Sequence, residues 1–248
     1  MEKLKPTHLL LAAWVTKHGE FWTSAENENW LKANVALAED FLASGGRRVV
    51  FAGSCAEYDW SDPVLMQPVA EGDAQAQPLT PYGRAKKEAA QRISALAANA
   101  KASFANGRIF FPVGEKEADT RLLPTIVARL RAGQNPGLRH PDLIRDFIDV
   151  RDAGSALAAI LRSSVEGPVN VGSGQGVRLA ELALKVAALL DRKDLLRYQT
   201  GSEPGTEPPV LVADTSRLRQ QVGFLPRYSL DETIAAAVCA SAGNATEV

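Results

Sequence analysis

Apolar runs of strand length alternate with longer amphipathic segments along most of the chain. Short apolar runs predict buried strands at 8–13, 47–52, 103–111 and 168–171. Apolar residues that recur at helical spacing predict helices at 29–44, 80–100, 120–132, 149–163 and 179–190. Because strands and helices alternate, the pattern predicts a parallel sheet with helices on both faces.

Two connecting segments differ from this pattern. The polar, proline-containing stretch 59–79 is long for a plain connection, which indicates a functional loop. A second loop, rich in proline and glycine, is predicted at 201–209. Thr80 and Pro81, which follow the first of these segments, are typical of the cap and first turn of a helix.

The bulk properties narrow the function classes. The 248 residues are 46% hydrophobic, enough for one sizeable core or for one core plus a small appended lobe. The formal net charge of −1 argues against non-specific nucleic-acid binding. The longest apolar run, 9–15, is far too short to span a bilayer, and residues 1–6 lack the apolar stretch of a secretory signal. We therefore expect no nucleic-acid partner, no membrane partner and a cytoplasmic location.

The cysteines and histidines do not indicate metal chemistry. Cys55 and Cys239 form neither a disulfide framework nor a zinc set, and we expect two free, buried thiols in a reducing cytosol. His8, His18 and His140 are scattered without metal-ligand spacing. The sequence therefore predicts no metal site.

A tyrosine, a lysine and a serine have the pattern of a proton-transfer site. Tyr82 and Lys86 are four residues apart at the start of a predicted helix, so their side chains share one face. The ammonium and the positive end of the helix dipole are both expected to lower the pKa of the phenol. Such a tyrosine can exchange a proton with a carbonyl or alcohol oxygen near neutral pH. Ser54, at the end of the preceding strand, can hydrogen-bond the same oxygen.

The spacing of Tyr82 and Lys86 is a weak signal by itself, because it also fits a surface tyrosine beside a solvated lysine. The surrounding residues favour the functional interpretation. Thr80 and Pro81 open the helix directly before Tyr82, and a strand that ends at Ser54 lies upstream.

Several motifs in order along the chain resemble the extended short-chain dehydrogenase/reductases, the group of NAD-dependent nucleotide-sugar epimerases, dehydratases and 4-ketoreductases. Ser54, Tyr82 and Lys86 match the family's catalytic serine or threonine, tyrosine and lysine. The matching segments are residues 10–14, 31–35, 108–114, 144–150, 170–174, 213–214 and 223–226. Trp14, the pair Phe21-Trp22 and residues 55–60 suggest a bacterial subgroup of sugar-nucleotide oxidoreductases.

The resemblance implies a mechanism. A hydride moves between the nicotinamide of NAD or NADP and a sugar carbon, usually C4, while Tyr82 exchanges the proton on that carbon's oxygen. Lys86 would hold the nicotinamide ribose and keep Tyr82 acidic. By resemblance, the residues that line the cofactor site are Ala12, Ala13, Asn34, Tyr82, Lys86, Phe110 and Pro112. The implied partners are a nucleotide-diphosphate sugar and a second copy of the chain, in a homodimer built partly from the Tyr82 helix.

Two arginines are candidate substrate ligands. Arg145 matches the family's arginine that meets the substrate diphosphate, and a guanidinium suits that group well. It could instead form a structural salt bridge with Asp142, Asp146 or Asp149. Arg121 stands where the family often has a substrate-facing asparagine, and ordinary solvent exposure fits it equally well.

The expected fold is an N-terminally truncated Rossmann-like parallel sheet with helices on both faces, plus a small C-terminal substrate lobe. The partial dinucleotide-binding domain is assigned to 1–112 and 146–171, and the substrate lobe to 113–145 and 172–248. By resemblance, a glycine-rich phosphate loop would lie about fifty to sixty residues before His8. The segment 172–176 is no substitute, because it matches a late motif of the substrate lobe.

The missing loop leaves two functional hypotheses. The first is an NAD(P)-dependent nucleotide-sugar 4-ketoreductase or 4-epimerase, with a wrongly recorded start or a recently shortened gene. The second is a catalytically silent remnant that binds a nucleotide sugar or a sister subunit. For the chain as given, the sheet would lack about three strands, residues 8–13 would form an exposed edge, and NAD is not expected to bind tightly. The sugar, the nucleotide base and the choice between NAD and NADP are not determined by these residues.

Overall fold

The chain folds into two sheets with helices packed against them. The computed structural model describes residues 5–17, 19–61, 67–72, 78–198 and 207–243. The strands are His8–Leu11 (β1), Arg48–Ser54 (β2), Ser103–Ile109 (β3), Phe111–Val113 (β4), Ile144–Asp149 (β5), Gly167–Val171 (β6), Gly176–Arg178 (β7) and Val210–Leu211 (β8). The helices are Glu26–Ala43 (α1), Pro81–Asn99 (α2), Leu122–Arg131 (α3), Val150–Arg162 (α4), Leu179–Leu189 (α5), Ser216–Gln220 (α6) and Leu230–Gly243 (α7).

The first sheet has the order β1-β2-β3-β6, and all of its neighbouring strands are parallel. Its central strand β2 is buried along its whole length, as expected for a strand covered on both faces. Val49 and Phe51 pack with α1 and α2, whereas Val50 and Ala52 pack with α4 on the opposite face. The predicted parallel sheet with helices on both faces is therefore confirmed. Within the described residues, β1 pairs with β2 alone.

The second sheet forms the core of a smaller lobe. Strand β5 lies parallel to β4 and β8 and antiparallel to β7. Leu123, Leu182 and Ile234, from α3, α5 and α7, pack with Phe147 of β5 in one apolar cluster. All of β5 belongs to this sheet, including residues 146–149, which the sequence assigned to the dinucleotide-binding part.

Helix α2 begins as the sequence predicts. The Thr80 hydroxyl accepts a hydrogen bond from the Gly83 amide at 3.0 Å, and Pro81 occupies the first turn, where no intrahelical amide donor is needed. This cap fixes where the helix starts, so that Tyr82 lies in the first turn and Lys86 one turn later.

The structure divides one predicted strand. Residues 103–111 do not continue through a single sheet, because the Phe110 amide bonds to the Val171 carbonyl and the chain then enters β4. Parts of the two predicted loops, 62–66, 73–77 and 201–206, lie outside the described residues. None of the described helices combines the length and the apolar character that crossing a lipid bilayer requires.

Candidate active site

The carboxyl ends of β1, β2 and β3 bring the predicted site residues together. These strands are parallel, so the residues that follow them meet at one edge of the sheet. Ala12 and Ala13 follow β1, Ser54 ends β2, and Phe110 follows β3. Helix α2 places Tyr82 against the end of β2.

Ser54 and Tyr82 form the central pair. The Ser54 hydroxyl lies close enough to the Tyr82 phenol to lower its pKa. The Ser54 hydroxyl also accepts a hydrogen bond from the Ala56 amide at 3.2 Å, which fixes its rotamer at the start of a 3-10 turn, Cys55–Glu57. The Tyr82 amide donates to the Trp22 carbonyl at 3.1 Å. The prediction that Ser54 hydrogen-bonds the same substrate oxygen as Tyr82 stays a prediction.

Aromatic rings surround the Tyr82 side chain. The ring centroids of Phe21, Trp22 and Trp14 lie 4.9, 5.5 and 6.4 Å from that of Tyr82, all in edge-to-face geometry. Trp60 lies 5.5 Å from Trp22 in the same arrangement. The sequence pointed to these aromatic residues only as marks of a subgroup, and their packing around Tyr82 was not predicted.

Lys86 is buried beneath Trp14. Its Nζ donates to the Ala52 carbonyl oxygen at 2.8 Å and lies 4.1 Å from the Trp14 ring centroid and 4.7 Å from that of Phe51. The Tyr82 ring centroid is more distant, at 5.9 Å. Burial lowers the pKa of Lys86 to about 7, and the negative charge of Glu57 opposes this effect.

The pKa of Tyr82 shifts in the direction opposite to the sequence expectation. Burial raises it above its usual range, and the hydrogen bond from Ser54 and the charge of Arg121 only partly counteract that effect. The expectation that Lys86 lowers the pKa of Tyr82 is therefore wrong. Loss of water around the phenol outweighs nearby cations, and helical spacing alone does not reveal that burial.

The predicted cofactor-lining residues differ in exposure. Ala12 and Ala13 are exposed at the end of β1. Asn34 is buried, and its Nδ2 donates to the Ala13 carbonyl at 3.2 Å and to the Trp30 carbonyl at 2.8 Å. The Asn34 side chain therefore holds in place the residues that directly follow β1.

The other two predicted cofactor residues follow β3. Phe110 is buried, with its ring centroid 6.3 Å from that of Tyr58. Pro112 is half-buried in β4. The Phe110 side chain is therefore part of the core beneath the predicted cofactor site and is not exposed at its surface.

The two candidate substrate arginines lie in different surroundings. The Arg145 side chain is only 3% exposed and forms a 2.7 Å ion pair with Glu207, which is not one of the three aspartates expected from the sequence. It also donates to the Ile144 and Pro208 carbonyls. Arg121 precedes α3 and lies near enough to Tyr82 for its charge to lower the pKa of that phenol.

The cysteines differ from the sequence expectation. Cys55 is buried, and burial raises the pKa of its thiol to about 12. Cys239 is exposed, so the expectation of two buried thiols is wrong for this residue. Among the described residues, no three His, Cys, Asp or Glu side chains are grouped so as to hold a metal ion.

A cavity of about 400 Å³ lies in the smaller lobe, between β5 and the start of α7. Its walls include Asp149, Ser173, Arg219, Tyr228 and Thr233, and do not include Ser54, Tyr82 or Lys86. The cavity is therefore separate from the hydroxyl pair, Ser54 and Tyr82.

Comparison with known proteins gives consistent matches. The model of the NAD-dependent epimerase/dehydratase family matches residues 1–172. A UDP-glucose 4-epimerase of Rhizobium meliloti is 27% identical over an alignment 267 positions long, which covers 97% of this chain and 77% of that protein.

Two solved structures have similar backbones. MoeE5, solved with UDP-glucuronic acid and NAD, superposes with a TM-score of 0.81 at 23% identity. The superposition covers 96% of this chain and 80% of the MoeE5 chain. RMD from Pseudomonas aeruginosa, solved with NADPH, has a TM-score of 0.84 at 18% identity, with coverages of 97% and 83%. At these identities the two structures establish the fold.

Proposed function

We propose, from the premise that the chain belongs to the NAD-dependent epimerase/dehydratase family, that it serves hydride transfer at a nucleotide-linked sugar. The reaction is of the 4-epimerase or 4-ketoreductase type. The observation that carries the proposal is that Ser54 and Tyr82 lie together at the carboxyl ends of the parallel strands, with Lys86 one helical turn away. Such a group of residues can position and protonate one oxygen atom.

The end of β1 fits a dinucleotide. Ala12 and Ala13 are exposed there and carry no side chain beyond Cβ, so a flat ring system can approach the backbone closely. Asn34 holds the Ala13 carbonyl and keeps this surface in place. NAD or NADP bound at this edge would supply or accept the hydride. The weak cofactor binding expected from the sequence stays a prediction.

Tyr82 is the residue that moves the proton. Because burial raises its pKa, the phenol keeps its proton at neutral pH and can donate it to a sugar carbonyl oxygen. Ser54 hydrogen-bonds the same oxygen and holds it in reach. In the reverse direction the phenolate takes the alcohol proton, and the positive charge of Arg121 favours that form.

Arg145 is the proposed ligand of the substrate diphosphate, and Arg121 is a second proposed substrate ligand. MoeE5 was solved with UDP-glucuronic acid and the Rhizobium relative is a UDP-glucose 4-epimerase, which supports a UDP-linked sugar as substrate. For Arg145, binding a diphosphate requires that its bond to Glu207 be exchanged. A homodimer formed partly by α2 belongs to the same proposal.

The experiment replaces the transferable proton and nothing else. Tyr82→Phe is expected to reduce turnover by about a hundredfold or more, as the loss of a general acid does, while UDP binding stays within twofold. Turnover is measured as UDP-glucose epimerisation and as NADPH oxidation with a nucleotide-linked 4-keto sugar. Tyr198→Phe is the matched control, since that hydroxyl is exposed and bonds only to the Ala180 carbonyl among the described contacts. Equal turnover in wild type and Tyr82→Phe would refute the assignment.

A further inference from the structure

Glu57 is a fully buried carboxylate beside the hydroxyl pair. Its Oε1 accepts a hydrogen bond from the Ser54 amide at 2.8 Å. Its Oε2 accepts one from Asn106 Nδ2 at 2.7 Å and one from Arg108 Nε at 3.1 Å. Glu57 therefore links the end of β2, which carries Ser54, to the neighbouring strand β3.

The bond from Asn106 shows how strongly this pocket is arranged around a carboxylate. The Asn106 Nδ2 group donates its hydrogen bond to Glu57. The buried Oδ1 of the same side chain has no hydrogen-bond partner among the described residues. An unpaired buried acceptor costs about 1–3 kcal/mol. The arrangement persists because an ionised carboxylate only accepts hydrogen bonds, and three donors converge on it.

The backbone is also adapted to this carboxylate. A Cβ atom at Gly53 would lie 2.3 Å from Glu57 Oε1 and 2.1 Å from Asn106 Oδ1. Only glycine leaves room for both side chains directly before Ser54. The absence of a side chain at Gly53 therefore lets the Glu57 carboxylate lie directly against the backbone that carries Ser54.

Glu57 and Lys86 bind the same stretch of β2. Lys86 Nζ donates to the Ala52 carbonyl at 2.8 Å, and Glu57 Oε1 accepts from the Ser54 amide two residues further along the strand. The negative charge of Glu57 therefore favours the protonated form of Lys86 and opposes ionisation of Tyr82. Arg108 is its direct ion-pair partner, with a side chain that is 13% exposed. The other charged or titratable groups that act on this cluster are Cys55, Tyr58, Glu71, Arg121, Arg145 and Asp146.

We propose that Glu57 is a positioning residue for the reaction: it fixes the main chain of Ser54 and supplies a buried negative charge that favours the ammonium form of Lys86. The inference rests on the proposed function for its catalytic meaning. Its physical content is a charge coupling between Glu57 and Lys86, which is measurable without cofactor or turnover.

The test follows the titration of Lys86 by NMR with lysine labelled at Cε, assigned with Lys86→Met. In Glu57→Gln the titration midpoint of Lys86 is expected to fall by about one pH unit, because a nearby carboxylate is lost while the cation of Arg108 remains. Asp152→Asn is the matched control. It removes another buried carboxylate that accepts two backbone amides, those of Arg227 and Tyr228. The midpoint should not move in that variant.

A second variant gives a shift of opposite sign. Arg108→Gln keeps a hydrogen-bond donor beside Glu57 but removes its counter-charge, so the Lys86 midpoint should rise. In the unmutated protein, the Glu57 carboxyl carbon should show an inflection at the pH where Lys86 titrates. Absence of that inflection, or an unmoved midpoint in folded Glu57→Gln, overturns the proposal. Normal turnover of Tyr82→Phe would instead overturn the proposed function and leave the coupling standing.

Discussion

The Nζ atom of Lys86 lies 4.1 Å from the centroid of the Trp14 indole ring, at a residue that is only 3% exposed. The indole is held in turn by Asn27, whose Oδ1 accepts a hydrogen bond from Trp14 Nε1 at 2.9 Å. The aromatic face offers the ammonium an electrostatic partner but cannot replace the water that burial removes. The pKa of Lys86 is low because the buried ammonium has lost this hydration.

The stability of the protein should rise with pH because of Lys86. Its pKa is about 7 when folded and near 10.5 when unfolded. Between these values the unfolded state holds one more proton, so the free energy of unfolding increases with pH. We expect a gain of about 2 kcal/mol from pH 7 to pH 9, measured by urea unfolding. The gain should disappear in Lys86→Met, and parallel pH curves for the two proteins would contradict the assignment.

Loss of the Asn27 amide should destabilise the fold. Its Nδ2 donates to the Phe21 carbonyl at 2.7 Å and to the Ser24 carbonyl at 3.0 Å, while its Oδ1 holds Trp14. Asn27→Ala leaves buried polar groups unpaired, and we expect a cost of about 1–3 kcal/mol in urea unfolding. Asn29→Ala, in the same helix but exposed, serves as the control and should change stability by less than about 0.5 kcal/mol. Equal effects of the two substitutions would contradict this role.

Two glycines should respond to alanine with opposite signs. Gly53→Ala puts a methyl group into the pocket of Glu57 and Asn106, and we expect a loss of about 1–3 kcal/mol. Gly154 lies in α4, where a Cβ atom would meet nothing within 4 Å. Gly154→Ala should therefore be neutral or stabilise by up to about 1 kcal/mol, because alanine loses less backbone entropy on folding. Thermal unfolding of both variants tests the contrast, and a stable Gly53→Ala would show that the pocket can rearrange.

The ion pair of Arg145 and Glu207 should compete with a nucleotide diphosphate. The Glu207 side chain is 52% exposed and can turn into solvent, whereas Arg145 is buried and needs a counter-charge, which the diphosphate would supply. We expect Glu207→Gln to bind UDP about threefold to fivefold more tightly, and Arg145→Lys to bind it about tenfold more weakly. Isothermal titration calorimetry measures both. Glu181→Gln, in the exposed pair with Arg178, is the control. Unchanged UDP affinity in all three variants would remove Arg145 from the substrate site.

Strand β5 shows why part of the fold could not be predicted from the sequence. Its residues include Arg145, Asp146 and Asp149, and all three are buried. Asp146 alone accepts hydrogen bonds from the amides of Ser173, Gly174 and Ala213, which are distant in sequence. Charged residues in a short run do not predict a buried strand, because the donors that make their burial possible are supplied only by the folded chain.

The elements around the hydroxyl pair were predictable for a different reason. The pattern of β2 and the cap of α2 are local, and each places its side chain by regular geometry. Ser54 at a strand end and Tyr82 in the first turn of the next helix therefore meet wherever two parallel strands flank that helix. The aromatic residues around Tyr82 could not be assigned in this way, since they come from a loop without regular periodicity.

The sequence by itself determined the alternation of strands and helices, the parallel sheet, and the serine, tyrosine and lysine that share its carboxyl edge, because periodicity and capping act over a few residues. Only the tertiary structure decided the protonation of that site. Burial under Trp14 lowers the pKa of Lys86, and burial raises that of Tyr82. The buried carboxylate of Glu57 accepts hydrogen bonds from Asn106 and Arg108, which the pairing of β2 and β3 brings beside it. Desolvation and charge pairing depend on distances through space, which spacing along the chain does not specify.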